Sequence, residues 1–205
     1  MQLLMPPAPV VHLVDVFRLQ GHAFDTVGTT EKTLKNLLED QYIKIFFDVR
    51  NDSDALFSHF GVKLNGVIDL QLVEYASRPR AGRLVKGLAK CISEDCHWGL
   101  AERRKWTLIK EAGQKLFAPE KGGTYAVFHE RPLPDALQDY CVQDVMVLPK
   151  LLSAYAAKLQ SHMAVQVLDE SRKRISHSQE VHFNGKGSHM ALAPSFRWTR
   201  YVRKS

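Results

Sequence analysis

Along this chain short β-branched runs alternate with stretches whose apolar residues recur at helical spacing, and that alternation predicts an α/β layered domain. Val10 to Val16 is a β-branched run that reads as a strand, followed by a turn-rich connection from Leu19 to Val27. Thr30, just before Glu31, opens a helix with Leu34, Leu37 and Leu38 on one face. Ile43 to Val49 is apolar almost throughout, as expected of a strand covered on both faces. Asn51 and Asp52 begin a helix that passes through Phe57 and Phe60 and stops at Gly61. Val62 to Ile68 reads as a third strand with Asn65 and Gly66 at its centre, and Asp69 starts the next helix, which ends near Ala76. Pro79 to Gly82 is a break, and Arg83 to Ile92 is a further helix.

Glu94 to Arg131 is less regular, with polar and glycine-rich pieces around Trp98, Trp106, Gly122 and Gly123. It reads as an irregular insertion, either a lid facing a substrate or a surface elaboration. Pro132 and Pro134 then introduce an apolar-periodic run from Ala136 to Leu152, which Pro149 divides before Leu151 to Leu159 continues it. Within that run Tyr140 and Asp144 stand four residues apart, one turn on the same helix face. A carboxylate there can ligate a hard divalent cation while the phenol holds an attacking water, the pairing that metal-assisted phosphodiester cleavage needs. The same spacing also serves as an ordinary side-chain hydrogen bond on any amphipathic helix.

A second segment runs from Lys44 through Asp48, Asp52 and Asp54 to Phe60 and Gly61, and Gly66-Val-Ile-Asp69-Leu-Gln follows it. Together with the Tyr140 helix these resemble the second and third motifs of the DnaQ-like 3′–5′ exonucleases, in the ribonuclease D branch whose last motif carries Tyr (DEDDy). The likeness to fungal members is particular. It extends from about Val10 to Leu159 and includes Val10 to Asp15, Gly87 to Cys91, Leu116 to Gly123 and Arg131 to Leu133.

The resemblance implies a ribonuclease H-like three-layer α/β fold with a mixed sheet. It implies a 3′–5′ exonuclease in which four carboxylates hold two Mg²⁺ or Mn²⁺ ions roughly 4 Å apart. Eight residues after Lys44, Asp52 takes the place of a metal-facing Asp; Asp54 points to the other side of its helix, and an N-cap is the plainer role for Asp52. Asp144 corresponds to a ligand of the first ion and Tyr140 to the residue that orients its water. Asp15 and Asp69 correspond to structural strand-end acids. The family's first motif, Asp-x-Glu, is absent from this chain, so the resemblance implies half a metal site and a sheet lacking its first two strands. A truncated exonuclease is one expectation. A partner chain that completes the sheet, or a catalytically inactive adaptor for nucleic acid or protein, is the other.

At 205 residues and 45% hydrophobic, the chain can bury one sizeable core, which is assigned to residues 10–160 after a Pro-rich start at residues 1–9. The opening residues do not make a signal peptide, and no stretch is long enough to span a bilayer. Cys91, Cys96 and Cys141 make an odd count that favours a reducing compartment, nucleus or cytoplasm. Cys91, Cys96 and His97 lack a fourth ligand for zinc. The net charge of +6 is concentrated at the end: from Ser171 eight cations stand against Glu180, leaving +7 there and −1 over the first 170 residues. In this basic C-terminal extension, residues 161–205, aromatic residues are interleaved with cations. Arg172, Lys173, Arg174, Arg197, Trp198 and Arg200 are the candidates for tracking single-stranded nucleic acid, RNA or DNA. A solvated tail is the alternative.

Overall fold

The computed structural model describes residues 1–5 and 9–198. In chain order its elements are β1 (Gln2–Met5), β2 (Val10–Leu13), α1 (Val16–Leu19), α2 (His22–Asp25), α3 (Leu34–Glu39), β3 (Lys44–Phe46), α4 (Arg50–Phe60), β4 (Val67–Asp69), α5 (Leu70–Ala76), α6 (Leu88–Asp95), α7 (Leu100–Phe117), α8 (Asp135–Met146), α9 (Leu148–Ala156) and α10 (Ser161–Ser178). The chain is mixed α/β with two small sheets, and it divides into two compact units. One comprises Met1–Ala23 and Cys96–Pro149, the other Phe24–Asp95 and Lys150–Ser205.

In the first unit β1 and β2 pair antiparallel, Gln2 opposite Leu13 and Met5 opposite Val10. The Met1 ammonium and the Val14 carbonyl, 2.9 Å apart, extend the ladder by one step. The opening residues are therefore a strand, and the strand expected over Val10 to Val16 ends early. Asp15 is the reason: its carboxylate accepts the Arg18 N–H at 3.1 Å and caps α1, which draws β-branched Val16 into a helical turn. The segment from Glu94 to Arg131, expected to be irregular, has at its centre α7, an 18-residue helix packed along α8. Part of the reason is a helix start that apolar counting does not see, where Glu102 in the first turn accepts the N–H of Gly99, the N-cap, at 3.0 Å.

In the second unit β3 and β4 pair parallel, Lys44 opposite Val67 and Phe46 opposite Asp69. β3 stops short of Val49 because Asp48 takes a left-handed backbone, φ 58°. β4 is only the end of the expected third strand. Gly66 precedes it at φ 62°, where a Cβ would lie 2.4 Å from the Tyr42 carbonyl oxygen, so only glycine makes this turn. The helix α3 is capped by Thr33, not Thr30, through a capping box with Asn36. The helix α4 ends at Gly61, φ 61°, as its sequence predicts. Every residue of α5 is buried.

The described part of the basic stretch, residues 161–198, packs onto the second unit. The helix α10 packs against α4, β4 and α5 and buries Met163, Val167, Ser171, Arg174, Ile175 and Ser178. The segment beyond returns over the same unit, where Val85 N–H donates to the Ala191 carbonyl at 2.9 Å and Ala193 N–H to the Arg83 carbonyl at 3.0 Å. Among the described residues, no helix is long and apolar enough to cross a membrane.

Candidate active site

The helix α8 starts after Pro134 and turns Leu137 and Cys141 into the interior. Tyr140 and Asp144 fall on an adjoining face, half-buried, and the phenol donates a hydrogen bond to the carboxylate. Burial pushes the phenol well above its ordinary range, and the Asp144 charge pushes it further. Burial raises the Asp144 carboxyl too, against the opposing pull of the Lys110 ammonium and the phenol hydrogen bond. Lys110 comes from α7 and is itself lowered by burial. Its ammonium stands 4.6 Å above the Trp106 ring. Further along α7, a Cβ at Gly113 would lie 2.5 Å from the Tyr140 Cβ, so the glycine admits the tyrosine. The Phe117 ring meets Tyr140 edge-on at 5.2 Å. Trp106, Lys110, Gly113 and Phe117 share one face of α7 at spacings of four, three and four. Sequence reasoning missed all four as site residues, because a lysine and a glycine at two of these positions interrupt the apolar period.

The pair retains an unmet demand. Among the described residues, one Asp144 carboxylate oxygen, Oδ1, is buried without a hydrogen-bond partner, as are Trp106 Nε1 and the Gln143 amide. A native fold leaves few such atoms, and each asks for a reason.

Asp52 stands in the first turn of α4, whose N-cap is Val49 without a side-chain cap, so Asp52 does not cap its helix. Its side chain is exposed, yet protein close around it displaces water and pushes the carboxyl up to about 6, helped by the charges of Asp48 and Asp69. Asp54, two residues on, is half-buried. Asp48 is engaged by Arg50 through two hydrogen bonds of 2.6 and 2.8 Å. Asp69 is fully buried and accepts the N–H groups of Asp48, Val49 and Gln71 together with Arg174 Nη1 at 2.7 Å. It is a structural acid, and so is Asp15: a two-pronged hydrogen bond from Arg131 brings its carboxyl down to about 2.

Tyr140 and Asp144 thus meet in the first unit, while Asp52 belongs to the second. Their oxygens are donors of the hard kind that Mg²⁺ or Mn²⁺ takes. Among the described residues, however, no three His, Cys, Asp or Glu side chains group so as to hold a metal ion. These residues alone therefore do not make a divalent-metal centre. Cys91, Cys96 and Cys141 are buried and form no disulfide, and burial pushes the Cys91 thiol up to about 12.

Of the basic candidates, Arg172 and Lys173 are exposed and pair within α10 with Asp169 at 3.0 Å and Glu170 at 3.5 Å. Arg174 corrects the expectation. It is 6% exposed and held by Asp69 and by Gln71 Oε1 at 2.9 Å, so its charge faces inward. Arg197 is exposed, Trp198 is half-buried against Tyr75, and Arg200 lies outside the described residues.

Residues 9–160 match the model of a family described as 3′–5′ exonuclease. The chain belongs to that family. The fold agrees, being similar to three crystal structures of Trypanosoma brucei RNase D. With the complex with RNA U12 the TM-score is 0.73 at 23% identity, covering 94% of this chain and 61% of that one. With RNase D alone it is 0.69 at 24% identity, with 93% and 62% covered. With the GMP complex it is 0.71 at 23% identity, with 93% and 55% covered. This exonuclease-family chain therefore spans about six tenths of the length of those proteins. No curated protein matches it significantly.

Proposed function

We propose that this chain acts on single-stranded nucleic acid as a 3′–5′ exonuclease domain, with Tyr140 and Asp144 at its hydrolytic centre. The observation that carries this reading is the buried, partnerless oxygen of Asp144 beside a phenol hydrogen-bonded to the same carboxylate. Leaving such an oxygen unmet costs about 1–3 kcal/mol, and sites that spend stability in this way are commonly functional. The phenol stays protonated near neutral pH, so its proton serves Asp144 while its oxygen remains an acceptor for a water at the scissile phosphodiester. Asp52 is the third candidate, a reachable carboxylate on a rigid helix start.

Exonucleases of this kind generally use divalent metals. Among the described residues no three acidic, histidine or cysteine side chains group around Asp52 or Asp144 to hold a metal ion. That arrangement supports a second reading, an adaptor that binds nucleic acid without cutting it.

The test is a 5′-labelled single-stranded RNA incubated with Mn²⁺ and the chain, its Asp144→Ala variant or its Tyr140→Phe variant, with binding measured in parallel. Stepwise shortening from the 3′ end that disappears in Asp144→Ala supports the exonuclease. Binding without shortening overturns it for the adaptor, and shortening untouched by Asp144→Ala places the chemistry elsewhere.

A further inference from the structure

A cleft of about 660 Å³ lies in the second unit, between the residues that follow α5 and the start of α10. Its lining includes Arg78, Arg80, Lys158, His162, Met163 and Trp198, and no carboxylate. The volume falls within the roughly 300–1,000 Å³ of small-molecule sites. We propose that this cleft is a subsite for one nucleotide of a single-stranded nucleic acid, its base on the Trp198 indole and its phosphate between Arg80 and Lys158. The inference rests on the reading that the chain takes nucleic acid, and it gives Trp198 a role there that the isolated sequence only suggests.

Three observations support it. First, the aromatic wall is fixed in place. Gln166 holds the Arg197 backbone from both sides, accepting its N–H at 2.6 Å and donating to its carbonyl at 3.2 Å. The neighbouring indole meets Tyr75 at 5.7 Å and 86°, an edge contact and not a stack, and stays half-exposed. A preorganised, partly exposed ring is what base stacking uses. Second, the cations differ in availability. The Arg78 guanidinium is committed to Glu74 at 2.6 Å and lies over the Tyr75 ring. Arg80 and Lys158 are exposed and form no ion pair among the described residues. Third, Met163 is buried and gives the cleft an apolar floor, as a base and ribose require and a bare phosphate does not. Together these favour a nucleotide over a simple anion.

The test is the affinity of the full chain for labelled twelve-residue oligouridylate and oligothymidylate by fluorescence anisotropy over a range of salt. The chain is compared with its Trp198→Ala, Trp198→Phe and Arg80→Ser/Lys158→Ser variants, with heparin as a polyanion without bases. Loss of one stack is expected to weaken binding roughly 5- to 100-fold in Trp198→Ala and far less in Trp198→Phe. Loss of the one phosphate contact that Arg80 and Lys158 share is expected to lower the slope of log affinity against log salt by about 0.7. Trp198 also packs on Tyr75, so the double variant at two exposed positions guards against a folding artefact. Unchanged affinity and slope in that variant overturn the cleft, as does an equal loss of heparin and oligonucleotide binding in Trp198→Ala. Asp144→Ala separates the two readings: a chain that binds through Trp198 but never shortens its strand keeps the cleft and loses the exonuclease. Strand shortening that ignores Trp198, Arg80 and Lys158 does the reverse.

Discussion

Asp69 and Arg174 form one buried ion pair, yet the two halves are expected to contribute unequally to stability. Their side chains are 0% and 6% exposed and 2.7 Å apart. If Arg174 becomes Met, the carboxylate keeps three backbone donors, the N–H groups of Asp48 at 2.9 Å, Val49 at 3.2 Å and Gln71 at 3.1 Å. If Asp69 becomes Ala, Arg174 retains Gln71 Oε1 at 2.9 Å and Asp48 at 3.6 Å, and Asp48 is already taken by Arg50. The three donors lose their acceptor as well, and one of them, the Gln71 N–H, is the cap bond of α5. Breaking a buried pair from one side costs about 3–5 kcal/mol, an orphaned buried donor about 1–3 and a cap about 1. Arg174→Met is therefore expected near the bottom of that range, about 3 kcal/mol, and Asp69→Ala at about 5 or more, with Asp69→Asn between them. Urea unfolding followed by circular dichroism reads the order as shifts in midpoint at constant slope. Equal losses, or a larger loss for Arg174→Met, would refute the reasoning. The outcome bears on the site, because Asp69 holds the turn at Asp48 and Val49 from which α4 presents Asp52.

Gly113→Ala is expected to destabilise by about 1–3 kcal/mol, since the added methyl meets Tyr140 Cβ at 2.5 Å; thermal unfolding checks it, and a neutral result means that α7 and α8 pack differently. Asp52→Asn is expected to stabilise the chain at pH 7. A carboxyl whose pKa rises from 3.8 to about 6 on folding takes up a proton there, so its contribution to stability falls as pH climbs through that window. At face value the shift is worth under ~3 kcal/mol, and water around the exposed side chain reduces it to about 1; a gain that persists below pH 4 contradicts this origin. Cys91, Cys96 and Cys141 are expected to react with a thiol reagent at pH 8 far more slowly in the folded chain than in urea, and rapid native labelling of Cys91 would deny its burial.

Much of the second unit was legible from local rules, because its elements end on residues with few alternatives. Gly61 stops α4 in a left-handed turn, and Asp69 caps α5, each where the sequence places it. The misreadings share a different cause. Val16 has the shape of a strand residue but follows Asp15, whose carboxylate is better used as a cap. The helix α7 carries Arg103, Arg104, Lys105, Lys110, Glu111 and Lys115, so its apolar stripe is thin, and its stability comes from packing on α8. Periodicity cannot report a helix whose inward face is partly a lysine and a glycine.

That limit also explains what could be read of the site. Tyr140, Asp144 and Asp52 are chemically capable residues at a recognisable spacing, and spacing survives in a string of letters. Lys110 is an ordinary surface residue in sequence, and only the packing of α7 on α8 brings its charge to bear on Asp144. Arg174 makes the opposite case. In sequence it belongs to a basic run with Arg172 and Lys173, yet helical rotation separates it from both, turning it toward Asp69 while they face solvent. A count of cations in the terminal segment therefore overstates what a phosphate can meet. The distinction that matters for binding is between cations already neutralised inside the fold, such as Arg174 and Arg78, and those left without a carboxylate, such as Arg80 and Lys158, which lie far apart in sequence and meet only at the cleft beside Trp198.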